Sequence, residues 1–258
     1  MQLLIVGGGK MGEALLGGLI AAGHTDVGVV EVVEARRDEL AAKYPGVTVV
    51  AAPVATKGAL LAVKPQYVAE SAAAVAQAGC ERVLSVAAGI TTHAIETALG
   101  KPVPVVRAMP NTPALIGAGA AAISPGAHAT DADLAWAEEI LGAVGVVVRV
   151  PESQLDAVTG LSGSGPAYVF LVAEALAEAG VLNGLPRATA ETLAFETLAG
   201  AARLLAEGDS SPADLKAAVT SPGGTTAAGL AELERNGARA AFLDAVSAAT
   251  RRSRELGA

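Results

Sequence analysis

Apolar and polar residues follow two different patterns along this chain of 258 residues. Up to residue 150, short apolar runs are separated by stretches with helical periodicity. The runs are apolar on both faces, which is typical of a parallel sheet covered by helices on each side. Strands are predicted over 2–7, 27–33, 47–50, 59–63, 82–87 and 103–108, with helices over 10–22, 36–44, 66–78 and 91–99.

The same sheet is expected to continue for two more strands. Apolar runs over 120–123 and 144–150 are predicted to extend it, with a helix over 131–142 between them. We therefore predict an α/β domain over residues 1–150 whose sheet is parallel and covered by helices on both faces.

After Pro151 the strand-like runs stop and long stretches rich in Ala, Leu and Glu take over. Because alanine supplies little core volume, roughly 100 such residues make a marginal domain, which is expected to pair with a second copy. We predict an all-helical domain over 151–258, with helices over 166–179, 187–207, 212–219, 226–235 and 238–256.

Composition and charge narrow the class of protein. A net charge of −8 argues against a nucleic-acid partner, because phosphate binding needs a basic surface. The single cysteine, Cys80, cannot form an internal disulfide, which fits a reducing compartment, and it is interpreted as a small residue before a strand and not as a nucleophile. Glu174 and Glu178 interrupt the apolar run after 167–173, and no signal peptide is apparent. A cytoplasmic protein without a membrane partner is predicted.

A glycine motif opens the chain, in the sequence LLIVGGGKMGEALLGGL. Gly7, Gly9 and Gly12 form a GxGxxG pattern after a strand and at the start of a helix. In a dinucleotide-binding turn these positions allow a tight turn, close approach to a pyrophosphate and close helix packing, respectively. A glycine-rich packing turn gives the same pattern, but the position in a first βαβ unit favours nucleotide binding by a Rossmann-type domain. Lys10 and Met11 lie inside the motif and are included as cofactor-binding candidates.

Residues after the second strand carry two opposed signals about the cofactor. Glu31 and Glu34 lie about 20 residues past the glycines, where an acidic side chain binds a free ribose 2′-hydroxyl. Arg36 and Arg37 follow, and can pair with a 2′-phosphate or belong to a solvated helix turn. Glu34 and Arg36 are the cofactor-binding candidates here. The adjacent arginines favour NADPH, and NADH is the alternative.

Two more strand ends carry candidate residues, because ligands bind at the carboxyl ends of strands in open α/β sheets. Lys64 and Pro65 follow the run LLAV, and Asn111 lies in the sequence VVRAMPNTPALIGAG. Lys64 can serve the cofactor or the substrate, or be an exposed loop charge, and Asn111 and Thr112 can equally be turn formers. Lys64, Pro65 and Asn111 are kept as cofactor-binding candidates.

The segment TSPGGTT, residues 220–226, lies between two predicted helices. If the second helix starts at Thr225 or Thr226, the glycines leave several backbone N–H groups uncovered and pointing one way. That arrangement is an anion site of carboxylate size. The hydroxyls of Ser221, Thr225 and Thr226 add donors or acceptors. The alternative is simple N-capping of the helix by a serine or threonine.

Five segments together, GGGKMGEALLGGL, RAMPNTPALIG, LSGSGPAYVF, GLPR and LKAAVTSPGGTTAAGL, resemble the pyrroline-5-carboxylate reductase family, in its order and essentially end to end. The resemblance implies a C-terminal dimerisation domain and NAD(P)H-dependent reduction of a cyclic imine, 1-pyrroline-5-carboxylate, to L-proline. It also implies that Gly224 and Thr225, with Ser221, hold the substrate carboxylate, while the Thr226 hydroxyl meets the ring nitrogen as the catalytic group. A homodimer, or a higher oligomer such as a ring of dimers, is implied with a pocket near the subunit contact.

Two other classes of protein remain as alternatives. A related imine reductase or a 3-hydroxyacid dehydrogenase would share the two-domain plan, and the hydroxyacid enzymes need a catalytic lysine in the second domain. Lys216 is the only lysine there, and it precedes the SPGGTT segment. A nucleotide-binding regulator without turnover would have no use for a carboxylate site. The three histidines lie outside every motif, and no metal site is predicted.

Overall fold

The computed structural model describes residues 1–257, which form two compact units. One unit comprises Met1–Ser164 and the chain from Ser247 onward, and the other is Gly165–Val246. The sequence predicted that the first domain ends at residue 150. The first unit of the structure extends fourteen residues further, and it also includes the end of the last helix.

Eight strands and six helices make up the first unit before residue 165. The strands are β1 (Leu3–Val6), β2 (Val27–Val30), β3 (Thr48–Val50), β4 (Gly58–Leu61), β5 (Arg82–Ser85), β6 (Val105–Met109), β7 (Gly119–Pro125) and β8 (Gly145–Arg149). The helices are α1 (Lys10–Ala21), α2 (Glu34–Lys43), α3 (Val68–Gln77), α4 (Thr92–Leu99), α5 (Asp131–Gly142) and α6 (Leu155–Val158). Short 3-10 turns over Pro65–Tyr67, Thr112–Ile116 and Glu152–Gln154 complete this part of the chain.

All eight strands belong to one sheet in the order β3-β2-β1-β4-β5-β6-β7-β8. Every neighbouring pair is parallel except β6 and β7, which run antiparallel. The prediction of a wholly parallel sheet was therefore wrong at this pair. The connection there is a single 3-10 turn, Thr112–Ile116, which is too short for the helical crossover that a parallel pair requires.

Burial on both faces explains why the strands read as continuous apolar runs. Within β1, Leu3 and Ile5 belong to one buried cluster, and Leu4 and Val6 belong to the cluster on the opposite face of the sheet. β1, β2 and β4 are buried at every position. The strand predicted over 27–33 ends at Val30, level with Val6, the last residue of its neighbour. The chain beyond Val30 is the loop that leads to α2.

Four polar contacts extend the first unit past the predicted boundary. The Glu152 carboxylate accepts hydrogen bonds from the backbone and hydroxyl of Thr92, at 2.8 and 2.7 Å, and pairs with Arg107 at 3.0 Å. Ser253 donates to the Asp156 carboxylate at 2.6 Å. These contacts fix residues 152–156 and the end of the last helix in the first unit.

The second unit is helical, as predicted. Its helices are α7 (Gly165–Leu182), α8 (Arg187–Glu207), α9 (Pro212–Ala218), α10 (Thr225–Arg235) and the start of α11 (Ala238–Gly257). Among its described residues, the buried apolar side chains are those of Ala177, Ala190 and Ala194. Most of the large apolar side chains are exposed: Val169, Phe170, Leu171, Leu176, Leu182, Leu185, Leu193, Phe195, Leu204, Leu205, Val219, Leu233, Phe242 and Leu243.

One helical stretch, Glu152–Leu182, is long and apolar enough to cross a membrane by length and composition alone. It joins the 3-10 turn, α6, a π-helical turn over Thr159–Gly163 and α7 into 31 residues, and 6% of its most apolar window is buried. Sequence had treated this run as interrupted by Glu174 and Glu178. The exposed apolar face of this stretch indicates a surface that another molecule covers.

Candidate active site

The glycine turn after β1 has the geometry of a dinucleotide cradle. Gly7 has φ +109°, and a Cβ there would lie 2.8 Å from the Ala62 carbonyl oxygen. A Cβ at Gly12 would overlap the carbonyl oxygen of Gly7. Both positions therefore require glycine for the turn itself, because a side chain has no space there.

Gly9 differs from its two neighbours in the motif. A Cβ at Gly9 would meet no described atom within 4 Å, and its φ of −72° is open to any residue. Gly9 is the N-cap of α1, and within the described chain no side chain caps this helix. The helix therefore presents bare N–H groups beside open space, which fits a bound pyrophosphate. Lys10 and Met11 form the first turn of α1, where the prediction placed them.

The peptide groups of Gly8 are held from both sides by residues that follow β2. Gly8 N–H donates to Glu31 Oε2 at 3.1 Å, and the Gly8 carbonyl accepts from Arg36 Nε at 2.9 Å. The other Glu31 oxygen accepts the Val33 N–H at 2.9 Å. From the sequence, Glu34 was kept as the acidic cofactor-binding candidate. In the structure Glu34 is the exposed first residue of α2, whereas the Glu31 carboxylate contacts the glycine turn.

The two arginines do not form the free clamp that favoured NADPH. Arg36 pairs with Glu13 and with Glu39, the latter at 2.8 Å, in addition to its bond to Gly8. Arg37 Nη1 donates to the carbonyl oxygens of Glu31 and Val32, at 3.0 and 2.9 Å. Arg36 is thus engaged by carboxylates and a carbonyl of the protein through all three of its nitrogens, whereas, among the described residues, Arg37 bonds to carbonyls through Nη1 alone.

Glu13 completes this charged cluster. Lys43 donates to the second Glu13 oxygen at 2.8 Å, and hydrogen bonds from Lys43 and Arg36 hold the pKa of Glu13 below its ordinary value. Glu13 therefore stays ionised near neutral pH and keeps its hold on Arg36. Glu13 is a site-bordering residue that sequence reasoning missed, since its partners lie 23 and 30 residues away.

The remaining cofactor candidates follow β4 and β6, two strands of the sheet that are separated by β5. Lys64 and Pro65 follow β4, beside β1, and both are exposed. Asn111 follows β6, and its amide donates to the Ser162 carbonyl at 3.1 Å while its oxygen accepts the Ala120 N–H at 2.9 Å. Asn111 also precedes the 3-10 turn, so it braces a turn, which was the alternative interpretation. Contact of Lys64, Pro65 and Asn111 with a cofactor stays a prediction.

The segment 220–226 forms a tight turn that leads into an uncapped helix. The Gly224 N–H donates to the Ser221 carbonyl at 3.1 Å across Pro222 and Gly223, and Gly223 has φ +69°, which favours glycine. α10 begins at Thr225 with Gly224 as its N-cap, and in the part of the chain that the structure describes no side chain caps it. The N-capping alternative is therefore wrong, and the N–H groups of the first turn are open to a ligand.

Hydroxyl groups surround this open helix end. A Cβ at Gly224 would overlap Ser221 Oγ, so the Ser221 hydroxyl lies directly beside the N-cap. Thr226 is half-buried and Thr225 exposed, and neither hydroxyl has a hydrogen-bond partner among residues 1–257. The Thr220 hydroxyl, by contrast, donates to the Lys216 carbonyl at 2.6 Å. The loop thus combines bare N–H groups with three unused hydroxyls.

Other titratable groups have structural surroundings. Cys80 is buried, its thiol donates to the Arg82 carbonyl, and burial raises the pKa of the thiol, so it is not a poised nucleophile. Lys216 lies exposed on α9. No cluster of metal-binding side chains occurs among the described residues.

Two family models match the chain. One described as "Pyrroline-5-carboxylate reductase dimerisation" matches residues 152–256, and one described as "NADP oxidoreductase coenzyme F420-dependent" matches residues 2–89. The first match begins before the second compact unit does, close to the predicted boundary at residue 151. The two matches thus cover the C-terminal part of the chain and residues 2–89, which include the whole glycine turn.

Individual relatives match over the whole length. A pyrroline-5-carboxylate reductase of Synechocystis is 48% identical, covering 100% of this chain and 98% of the relative, and that of Corynebacterium melassecola is 42% identical, covering 99% and 98%. A solved pyrroline-5-carboxylate reductase from Coxiella burnetii has a TM-score of 0.94 at 37% identity, covering 100% and 98%. A Plasmodium falciparum pyrroline carboxylate reductase solved with NADP bound has a TM-score of 0.83 at 27% identity, also covering 100% and 98%.

Proposed function

This chain belongs to the pyrroline-5-carboxylate reductase family, and we propose that it reduces 1-pyrroline-5-carboxylate to L-proline, the last step of proline synthesis, with NADPH or NADH as hydride donor. It is an NAD(P)H-dependent oxidoreductase with a Rossmann-type domain and a helical domain. The substrate assignment rests on the uncapped start of α10. The hydroxyls of Ser221, Thr225 and Thr226 belong to this segment and have no hydrogen-bond partner among the described residues.

The substrate carboxylate is assigned to this helix end. The N–H groups at Thr225 and Thr226 lack internal partners, and the positive end of a helix attracts an anion. Ser221 and Thr225 add hydroxyl donors, while Gly224 leaves the approach free of a side chain. Ser221, Gly224, Thr225 and Thr226 are therefore the proposed substrate-binding residues.

Thr226 is the proposed catalytic residue. Its half-buried hydroxyl has no partner in the described chain, so it can hydrogen-bond the ring nitrogen of a substrate whose carboxylate sits on the preceding N–H groups. The bond would orient the ring and hold the proton on its nitrogen. No Asp, Glu, His or Lys lies in the segment 220–226, so this loop positions the substrate and supplies no strong acid or base.

The chemistry of the substrate matches such a site. When bound, the reduced nicotinamide supplies the hydride. A protonated imine is already electrophilic at its C=N carbon, and addition of a hydride there breaks only the π bond, whose electron pair stays on nitrogen. The resulting amine takes its further proton from water. The demand on the protein is alignment of two reactants, which is an effective source of rate acceleration.

The cofactor is assigned to the glycine turn. Gly7 and Gly12 shape the turn, Gly9 leaves space for the pyrophosphate, and Lys10 and Met11 lie on the first turn of the uncapped α1. Lys64, Pro65 and Asn111 are proposed contacts at the ends of β4 and β6, and Glu34 and Arg36 are the sequence-derived candidates near the ribose. Open space at Gly9 and bare N–H groups support this assignment.

The protein forms homo-oligomers through its helical unit, and we take the assembly to be a homodimer or a ring of dimers. The support is a unit whose buried apolar residues, among those described, are three alanines, while most of its large apolar side chains face outward. A second copy would cover them. Light scattering tests this, since an active monomer at assay concentration would contradict the assignment.

Cytoplasmic location is proposed on the same grounds. The apolar stretch Glu152–Leu182 lies within the segment that matches the dimerisation family, so its exposed face is assigned to a subunit contact and not to a membrane. Fractionation of cells that produce the protein would test this, because a membrane protein would pellet with the membranes and need detergent for release.

A turnover assay tests the function as a whole. Oxidation of reduced nicotinamide should follow the addition of 1-pyrroline-5-carboxylate and not of 2-oxo or 3-hydroxy acids. The variant Lys216→Ala tests the alternative of a 3-hydroxyacid dehydrogenase. This exposed lysine is not among the proposed substrate- or cofactor-binding residues, so reduction of 1-pyrroline-5-carboxylate should be unchanged. Turnover of a 3-hydroxy acid that is lost in Lys216→Ala would favour that alternative, and no turnover of any substrate would favour a regulator.

A further inference from the structure

Glu31 holds its carboxylate at the carboxyl edge of the sheet, against the glycine turn. It directly follows β2, and its two oxygens accept the N–H groups of Gly8 and Val33, at 3.1 and 2.9 Å. A carboxylate has about four acceptor positions, so two N–H bonds leave others unused. In a dinucleotide-binding fold, an acidic side chain at this strand end accepts the ribose 2′-hydroxyl of NADH.

The side chains directly after Glu31 offer a 2′-phosphate no donor, and the N–H groups available there are those at the start of α2, whose N-cap Val33 provides no side-chain cap. Val32 and Val33 are 79% and 56% exposed, and neither side chain carries a donor. Lys64 follows β4, which lies on the other side of β1 from β2. A 2′-phosphate placed next to Glu31 would therefore face a carboxylate and two apolar side chains, and like charges in contact are strongly unfavourable.

The nearby arginines are both bonded to the protein, Arg36 through all three of its nitrogens and Arg37 through Nη1. Arg36 is held by Glu13, Glu39 and the Gly8 carbonyl, and Arg37 Nη1 donates to the carbonyls of Glu31 and Val32. Glu13 is itself shared with Lys43. Turning Arg36 toward a phosphate would break at least two ion pairs. Both guanidinium groups thus stabilise the turn around Glu31.

We infer that Glu31 is the specificity-determining residue for the cofactor, and that it sets the preference of this enzyme for NADH over NADPH. The inference rests on the proposed function only in placing a nicotinamide dinucleotide in the glycine turn. It names a different acidic residue from Glu34, which the local sequence favoured, and it makes Arg36 a brace for the turn.

The test measures binding of the two reduced cofactors without any imine substrate. Dissociation constants for NADH and NADPH are determined by nucleotide fluorescence for the unmodified protein, Glu31→Gln, Glu34→Gln and Asp38→Asn. NADH should bind about tenfold or more tightly than NADPH in the unmodified protein. Glu31→Gln should shrink that ratio by about 10- to 100-fold, since a hydrogen bond to a charged group is lost and the repulsion removed. Asp38→Asn is the charge-matched control, on the exposed face of α2.

Three outcomes would overturn the inference. NADPH binding more tightly to the unmodified protein is one, and a ratio that responds to Glu34→Gln but not to Glu31→Gln is another. Equal weakening of both cofactors by Glu31→Gln is the third, because the carboxylate would then act only through its bond to Gly8.

A second variant tests the position of the ribose without changing the hydrogen bond between Glu31 and Gly8. Val32→Arg places a guanidinium on an exposed side chain beside Glu31, and should tighten NADPH by about tenfold while NADH changes by less than about threefold. No gain for NADPH would count against the position assigned to the ribose. A protein that prefers NADH yet leaves 1-pyrroline-5-carboxylate unreduced would overturn the proposed function alone.

Discussion

α1 and α10, which belong to different compact units, each have a glycine as their N-cap. The N-caps of α1 and α10 are Gly9 and Gly224, with nearly identical backbone angles: φ −72° and ψ −175° for one, φ −78° and ψ 172° for the other. Neither helix is capped by a side chain among the described residues. Both therefore present unpaired N–H groups, one proposed to hold a pyrophosphate and the other a carboxylate.

The two glycines are required for different reasons. A Cβ at Gly9 would meet open space, so the fold itself tolerates a side chain there and only a ligand excludes it. A Cβ at Gly224 would overlap Ser221 Oγ, so a side chain there requires the Ser221 hydroxyl to move. A nearly identical backbone conformation is thus expected to be kept by a ligand at Gly9 and by packing against Ser221 at Gly224, and mutations can separate the two.

The largest effect is expected for Gly9→Val. The valine would occupy the space of the pyrophosphate and cost at least two charge-assisted hydrogen bonds, weakening cofactor binding by about 100-fold or more. Because that space is empty of protein, the melting temperature should change little. Calorimetric titration and thermal melts measure both. Gly12→Ala is the contrasting control, since its Cβ meets the Gly7 carbonyl and should lower the melting temperature. Unchanged affinity in Gly9→Val would show that the motif only packs.

The next effect concerns the hydroxyl beside the second helix end. Thr226→Ala should lower kcat/KM by roughly 10- to 100-fold through loss of a hydrogen bond to a charged group, and Thr226→Ser should recover most of it. Thr220→Ala is the matched control, because its hydroxyl bonds the Lys216 carbonyl and its loss should affect stability only. Steady-state kinetics and thermal melts on all three variants show whether each hydroxyl contributes to turnover or to stability. A Thr226→Ala protein that melts early but turns over normally would remove Thr226 from the mechanism.

A smaller effect tests the packing explanation at Gly224. Gly224→Ala should raise KM several-fold and lower the free energy of unfolding by about 1 kcal/mol, because the new methyl displaces Ser221 Oγ. Adding the change to a Ser221→Ala background removes the clash, so the penalty in unfolding free energy should shrink by about half or more. Denaturant titrations of the four proteins measure this coupling. Purely additive penalties would mean that the glycine is kept for the ligand, as at Gly9.

The smallest functional effect is expected at Glu152, which ties residues past the predicted boundary to the first unit. Burial raises its pKa, but hydrogen bonds from Thr92 and Arg107 outweigh this and hold the pKa below the ordinary value of 4.5. Stability from this group is present above that value and is lost as pH falls through the lower folded pKa. Unfolding free energy should therefore fall less steeply below about pH 5 in Glu152→Gln, with cofactor affinity unchanged. Equal slopes for both proteins would contradict this origin.

Much of the fold could be predicted from sequence because its causes are local. The limits of α5 and α8, Asp131–Gly142 and Arg187–Glu207, match the predicted ones, since a capping box at Thr130 and the proline before Arg187 mark their starts. The glycines of TSPGG indicated a start of α10 at Thr225 or Thr226, but they left open whether a serine or threonine caps it. The antiparallel pairing of β6 and β7 did not follow, because strand direction depends on how the chain returns to the sheet.

Sequence by itself thus determined the order of the elements, the two glycine-started helix ends and the family resemblance, because periodicity, turn residues and caps act over a few residues. Only the tertiary structure decided which partners the charged and polar side chains of the site bond to. Glu31 meets Gly8 across 23 residues, Arg36 meets Glu13 across 23, and Asn111 meets Ser162 across 51. No local pattern encodes such partners, since folding the sheet and its helices is what brings them within hydrogen-bond distance.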